Sequence, residues 1–315
     1  MVKLKSIKEL NGHLESNQSP ERPASAEGNF YHDRDIDAIG PGMNPRIQRL
    51  RKLSFEAEPS LSIERALHQT AFYKAHFGKH STPVFRALTF LDHCKKKTLY
   101  LGDDELIVGE RGPFPKAVPT FPELTCHSVE DFHVLNTRDQ QRYTINQDDI
   151  DTYEKEVIPY WKGRTQRERI FNHVPDTWRQ AYEAGLFTEF MEQRAPGHTA
   201  LDGKIYKKGI LDFKCDIQSQ IDSLDFLNDP EATDKLEQLK AMDISCDAVI
   251  LFANRHADLA EENASKETKP QRKAELLKIA WVCRRVPAHA PQTFWEALQM
   301  YWFVHLGTIT ELNGW

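Results

Sequence analysis

Beyond about residue 43 the apolar positions recur mostly at intervals of three and four, the period of helices packed on one side. "SLSIERALHQTAFYKAHFG" (60–78) predicts a helix capped by Ser60 or Ser62. Its apolar face runs through Ile63, Ala66, Leu67 and Thr70, and Gly78 stops it. "PVFRALTFLDHCKKKT" predicts a second helix, with Pro83 at its start. "LYLGDDELIVGERG" breaks the period: two short β-like runs around Gly102, Asp103 and Asp104 predict a hairpin or tight turn. "PFPKAVPTFPEL" is proline-rich, so it must be extended and cannot join the centre of a sheet. Helical patterns follow in "SVEDFHVLNTR", "NQDDIDTYEKEVIPYWKGRT", "PDTWRQAYEAGLFTEFMEQ" and "KIYKKGILDFKCDIQSQIDSLDFL". The longest helix should run from Glu231 to about Thr268, with Leu236, Leu239, Met242, Cys246, Val249, Phe252 or Ala253, His256 and Leu259 on its inner stripe. Two more follow, "PQRKAELLKIAWVCRRV" and "PQTFWEALQMYWFVHLG". The last is apolar nearly all round, which predicts deep burial. "TITELNGW" comes directly after it and reads as an interruption, so an N-terminal piece of a longer protein is expected.

Residues 1–42 have a different texture. "SNQSPERPASAEGNFYHDRDIDAIGPG" is rich in Ser, Pro, Gly and charge, and reads as a disordered or loosely attached tail. Leu4, Ile7, Leu10 and Leu14 ahead of it have helical spacing in a basic context, the pattern of a short docking helix, against the plainer reading of an untidy tail. Met43 is an alternative start.

Composition narrows the function classes. A net charge of -6 in 315 residues argues against a nucleic-acid binder, which carries a basic footprint. No stretch reaches the roughly 18 apolar residues of a membrane span. The five cysteines (Cys94, Cys126, Cys215, Cys246, Cys283) are scattered, with no C-x-x-C pair and no zinc spacing. They suit reduced thiols in a cytoplasm, and no metal site is expected. There is no GxGxxG, GxxxxGK[ST], GxSxG or HExxH. His198, His289 and His305 stand isolated, and each is by default a satisfied core or surface histidine.

One turn improves the odds for His198. In "EFMEQRAPGHT" a helix ends at Arg194, Ala195, Pro196, Gly197 and His198. Pro196 fixes one backbone angle and Gly197 permits positive φ, so the turn can aim Arg194 and His198 at a cavity. Trp178, Tyr182, Phe187, Phe190 and Tyr206 are the candidate aromatic lining. On these residues alone a structural role, with Arg194 capping carbonyls and His198 bonding the backbone, weighs equally with a binding role.

"SIERALHQTAFYK", "LIVGERG", "PTFPEL", "EVIPYWKGRT", "AGLFTEFMEQRAPGHT", "IYKKGILDFK", "LDFLND", "VPAHAPQTFWEALQMYWFVH" and "TELN" together resemble the N-terminal part of the glycyl radical enzymes, the pyruvate formate-lyase-like superfamily. The resemblance runs from about Arg46 to Trp315. It implies that this mainly α chain supplies the N-terminal helical layers of a ten-stranded α/β barrel, residues 43–315 being the N-terminal portion of that domain. It also implies a homodimer, and a glycyl radical installed by an S-adenosylmethionine-dependent iron-sulfur activating enzyme. The thiyl cysteine and the radical glycine of the family lie beyond residue 315, so no catalytic residue is expected here. The string around Phe190 and His198 resembles the dehydratases that remove water from a hydroxylated proline. There the corresponding Phe and His face the substrate, which makes Phe190 and His198 the expected substrate-binding residues. An Asp that follows the family's E-L-N-x-W string also faces the site; this sequence ends at Trp315, and Gly314 departs from the larger residue usual there. The alternatives within the family are isethionate sulfite-lyases, diol or glycerol dehydratases, choline lyases and formate acetyltransferase-like enzymes. Glu189, an acid on the site-bearing helix, disfavours a sulfonate. A helical interaction protein without catalysis is the alternative outside enzymology.

Overall fold

A computed structural model describes residues 44–187 and 201–311. The expected tail, residues 1–42, lies outside the described residues. The described chain is mainly helical, as its periodicity predicts.

The chain enters through α1 (Pro45–Glu56), where Asn44 accepts a hydrogen bond from the Arg46 amide and proline occupies the first turn. None of its residues is buried. Ion pairs hold it instead: Arg46 reaches Glu275 at 2.6 Å and Arg49 reaches Asp104 at 2.6 Å.

The expected serine cap of the next helix is not formed. Ser60–Ser62 is strand β1, and α2 (Glu64–His76) begins only after Ile63. Tertiary pairing overrides the capping propensity. β1 runs parallel to β2 (Ala117–Pro119), with Leu61 opposite Val118, and an isolated bridge to Thr144 covers the other side of Ser60. β2 therefore sits at an edge, where Pro119 costs no ladder bond. Gly78 closes the region at φ +77, as its position after α2 predicts.

Around this ribbon stand α4 (Val129–Thr137), α5 (Gln147–Glu156) and the single turn α6 (Ile158–Trp161). Ser128 and Asp131 form a capping box at α4, and Asn146 caps α5. Ile63, Phe132, Ile150, Tyr153, Val157 and Trp161 form the core here. The Trp161 indole donates to the Thr70 hydroxyl at 2.8 Å, so its buried N–H is satisfied.

The main core lies around α10 (Ala232–Lys266), the 35-residue helix that the long periodic stretch predicts. It packs between α3 (Thr82–Lys96) and α11 (Pro270–Arg285). The buried stripe matches the expected one at Phe252, Ala253 and His256 and differs elsewhere. Ala241, Ala248, Ala253, Ala257, Ala260 and Ala264 face inward with Phe252 and His256, whereas Met242 is 51% exposed. Alanines let two neighbouring helices approach closely, so here side-chain size, not hydrophobicity, selects the inner face.

Of the hairpin or tight turn expected at 99–112 only the turn forms, at Asp103 and Asp104, where Glu105 N–H donates to Gly102 O at 3.3 Å. Residues 105–110 then run as an irregular segment whose backbone is bonded by side chains of α12 (Phe294–Glu311). Trp295 Nε1 donates to Leu106 O, Gln299 bonds both the N–H and the C=O of Val108 at 2.8 Å each, and Trp302 Nε1 donates to Gly109 O. Spacings of four and three put these side chains on one stripe of α12. Arg272 and Lys97 complete the set at Gly102, Glu105 and Glu110. A helix thus stands where a second strand was expected.

Deep burial of α12 holds for one side only. Met300, Phe303 and Leu306 are fully buried, while Phe294 is 79% and Leu298 41% exposed. Among the described residues no helix is long and apolar enough to cross a membrane.

Candidate functional site

Phe190, Arg194 and His198 lie outside the described residues, as do Glu189 and Gly197. The chain on either side of 188–200 is described, and both ends are anchored.

The near anchor is aromatic. α7 (Gln166–His173) and α8 (Asp176–Glu183) follow each other closely. Thr165 and Glu168 form a capping box at α7, and Asp176 occupies the first turn of α8. Trp178 and Tyr182, one turn apart, stack nearly parallel with centroids 5.7 Å apart. Phe171 meets both edge-on at 5.3 and 5.0 Å, and Phe187 closes on Trp178 at 4.9 Å. The Arg167 guanidinium lies 4.4 Å from the centroid of Phe171 and donates to the Tyr182 hydroxyl at 3.1 Å. So Trp178, Tyr182 and Phe187, expected to line a cavity, pack on one another. Phe171, unmarked by the sequence reading, is the ring that joins them. The expected continuation of α8 to Gln193 does not occur as one helix: it ends at Glu183, and Gly185 turns at φ +72.

The far anchor is a plug and a tight approach. Leu201 and Asp202 both take left-handed backbone angles, φ +67 and +53, before a 3₁₀ turn at Asp202–Tyr206. Such residues cost of order 1 kcal/mol each and persist only when their surroundings fix them. Ile205 supplies that fixing: it is fully buried against Val282, Val286, Met300 and Val304. Tyr206, the fifth expected aromatic, is 48% exposed beside it. At Gly209 the chain presses on the 286–289 loop, where an added Cβ would stand 2.3 Å from Ala288 O. Ile210 N–H donates to Pro287 O and Leu211 N–H to Ala288 O, which starts α9 (Ile210–Asp222). The loop is held by Arg285, which reaches the buried Glu296 carboxylate at 3.1 Å and donates to Ala290 O.

A second polar centre lies where α12 ends. Arg65, 3% exposed, donates to Thr310 O at 2.8 Å and grips both oxygens of Glu123 at 2.5 and 3.1 Å. Its guanidinium carbon sits 4.0 Å from the Phe121 centroid. Arg86 binds Glu311 at 2.7 Å. Burial raises the Glu311 pKa while Arg86 and Arg65 pull it down. Arg65, Glu123 and Glu311 belong to "SIERALHQTAFYK", "PTFPEL" and "TELN", and no local pattern in these strings marks that their charges meet.

Of the three isolated histidines, His198 lies outside the described residues and His289 and His305 are partly buried. His305 lies beside Tyr301 and Trp302, and burial followed by the Arg111 charge lowers its pKa. Burial, then Arg285, lowers that of His289. Burial disfavours the thiolate at four of the five cysteines: it pushes Cys94 and Cys246 up to about 12 and Cys126 to about 11, and Cys283 higher still, while Cys215 is exposed. Among the described residues no cluster of His, Cys, Asp and Glu could hold a metal ion.

The described residues are helical layers built around the alanine-lined α10. Residues 43–315 match the pyruvate formate lyase-like family, and the chain belongs to it. It is 47% identical over 274 residues to the trans-4-hydroxy-L-proline dehydratase of Clostridioides difficile, a match covering 87% of this chain and 35% of that enzyme. The crystal structure of hydroxyproline dehydratase from C. difficile with trans-4-hydroxy-L-proline bound superposes with a TM-score of 0.83, at 47% identity and the same coverage. An isethionate sulfite-lyase of Desulfovibrio desulfuricans is 32% identical, with 84% of this chain and 33% of the enzyme covered. A glycyl radical enzyme from Archaeoglobus fulgidus gives a TM-score of 0.73 at 28% identity, covering 85% of this chain and 34% of its own. The chain spans about a third of the length of these relatives.

Proposed function

We propose that the chain is the N-terminal portion of a glycyl radical dehydratase that removes water from trans-4-hydroxy-L-proline to give pyrroline-5-carboxylate. The 47% identity to the C. difficile dehydratase carries the reading, against 32% to the sulfite-lyase. The anchored ends of 188–200 support it: the aromatic cluster and the Ile205 plug would hold a substrate-facing turn in register. In this reading Phe190 forms an apolar wall and His198 meets the substrate's carboxylate or hydroxyl. The radical glycine and thiyl cysteine belong to the remaining length, and the radical, once installed by an S-adenosylmethionine-dependent iron-sulfur activating enzyme, supplies hydrogen-atom abstraction. A homodimer in the cytoplasm completes the proposal. Within that enzyme this portion contributes binding and orientation.

The test is an anaerobic assay of the full-length, activated enzyme on hydroxyproline, isethionate, glycerol and choline. Turnover of another substrate without hydroxyproline would sink the proposal. In the same enzyme His198→Ala should lower kcat/KM at unchanged radical content; a parallel fall in radical content assigns His198 a structural role.

A further inference from the structure

A groove of about 460 Å³ lies between the end of α9 and the start of α10. Leu224, Leu239 and Met242 give it an apolar lining. Neither Leu239 nor Met242 belongs to the buried stripe of α10, and Met242 is half exposed. The loop that joins the two helices adds Phe226, 57% exposed, and Leu227, 95% exposed. That loop is held in shape. The Asp225 carboxylate accepts from the Leu227 and Asn228 amides at 3.0 and 3.1 Å and from the Asn228 side chain at 2.7 Å. Apolar side chains fixed in water beside an apolar groove mark an interaction surface.

The rim has one sign of charge. Residues 221–240 hold six acids against two lysines. Both lysines are taken: Lys235 by Asp229 at 2.7 Å and Glu231 at 3.3 Å, and Lys240 by Glu237 at 2.8 Å. Asp222 accepts from the neutral Gln218 amide, and Asp234, in the groove wall, is in no ion pair among the described residues. An occupant of this groove should therefore be apolar on one side and basic.

One segment of this same chain has that chemistry. The first eight residues carry Lys3, Lys5 and Lys8 and no acid, while Leu4, Ile7, Leu10 and Leu14 recur at helical spacing. Residues 15–43, fully extended, reach about 100 Å, enough to bring the segment to any face of the chain. A tethered segment meets its site at an effective concentration of order 1 mM, so even a contact with a Kd of about 1 mM is half formed.

We propose that the segment Leu4–Leu14 docks as a helix in the α9–α10 groove of its own chain. Its leucines and isoleucine lie on Leu224, Leu239 and Met242, and its lysines face Asp222 and Asp234. The inference stands apart from the dehydratase reading. The test uses the 315-residue chain and a variant carrying Leu4→Ser, Ile7→Ser and Leu10→Ser together. The variant keeps every lysine, so attraction between charges alone survives in it. A water-soluble carbodiimide, which joins a lysine amine to a carboxylate, should link Lys3, Lys5 or Lys8 to Asp222 or Asp234 in the parent. The yield should fall about threefold or more in the variant, because the apolar contact is lost. Dilute peroxide should oxidise Met242 about threefold faster in the variant, because its thioether is no longer covered. In a mixture of light and heavy-nitrogen chains, each linked pair should carry a single isotope. Absence of these links, equal links or equal Met242 oxidation in the variant, or pairs of mixed isotope, which would place the segment on a second copy, each overturns the proposal.

Discussion

Gln299 offers the sharpest test of how α12 organises the segment below it. Its side chain is 1% exposed and bonds both backbone groups of Val108, itself fully buried, at 2.8 Å. Gln299→Leu keeps the volume and removes both bonds, leaving one buried N–H and one buried C=O without partners. Each such group costs about 1–3 kcal/mol, so a loss of about 2–5 kcal/mol follows. Gln299→Glu is the informative companion. An ionised carboxylate still accepts from Val108 N–H, but it cannot donate to Val108 O and it buries a charge, so it should cost at least as much. Urea unfolding gives the global loss, and amide exchange at Val108 gives the local one, which should accelerate about 30-fold or more in the leucine variant. A Gln299→Leu chain within about 0.5 kcal/mol of the parent, with Val108 still protected, would refute the claim that side chains replace the missing strand.

The other expectations are briefer. Burial lowers the Lys97 pKa to about 8. The unfolded chain holds this proton up to about 10.4, so the stability of the parent relative to Lys97→Met should rise by about 2 kcal/mol from pH 8 to 9.5 in paired urea titrations. A flat difference across that window would contradict the burial. Arg65→Met should cost about 3–5 kcal/mol, because Glu123 and Thr310 O lose their partner, and Arg65→Lys should recover only part of it in the same denaturation assay. Gly209→Ala forces a Cβ onto Ala288 O and should cost about 1–3 kcal/mol in Tm-derived stability, whereas Gly203→Ala, with open space around it, should cost less than about 1 kcal/mol.

Much of the helical frame was legible in the chain. The 35-residue α10 was read to within two residues, because its period is sustained over many turns. The helical patterns "SVEDFHVLNTR" and "NQDDIDTYEKEVIPYWKGRT" also form, the second as α5 and the single turn α6. The failures share one cause. Ser60 and Ser62 carry a cap signal, yet a partner from residues 117–119 made them a strand. "LYLGDDELIVGERG" carries a hairpin signal, yet the partner that satisfied its backbone was a helix almost 200 residues away. Local patterns report a segment's preference and not which distant groups will bond it.

The candidate site divides in the same way. By itself the sequence determined the helical class and the family. Only the tertiary structure decided that Trp178, Tyr182 and Phe187 pack on one another around Phe171, that Ile205 pins the far end, and that Arg65, Glu123, Arg86 and Glu311 converge at the end of α12. Residue type sets what a side chain can bond. The meeting of Arg65 with Thr310, 245 positions apart, depends on how the helices close around their alanines.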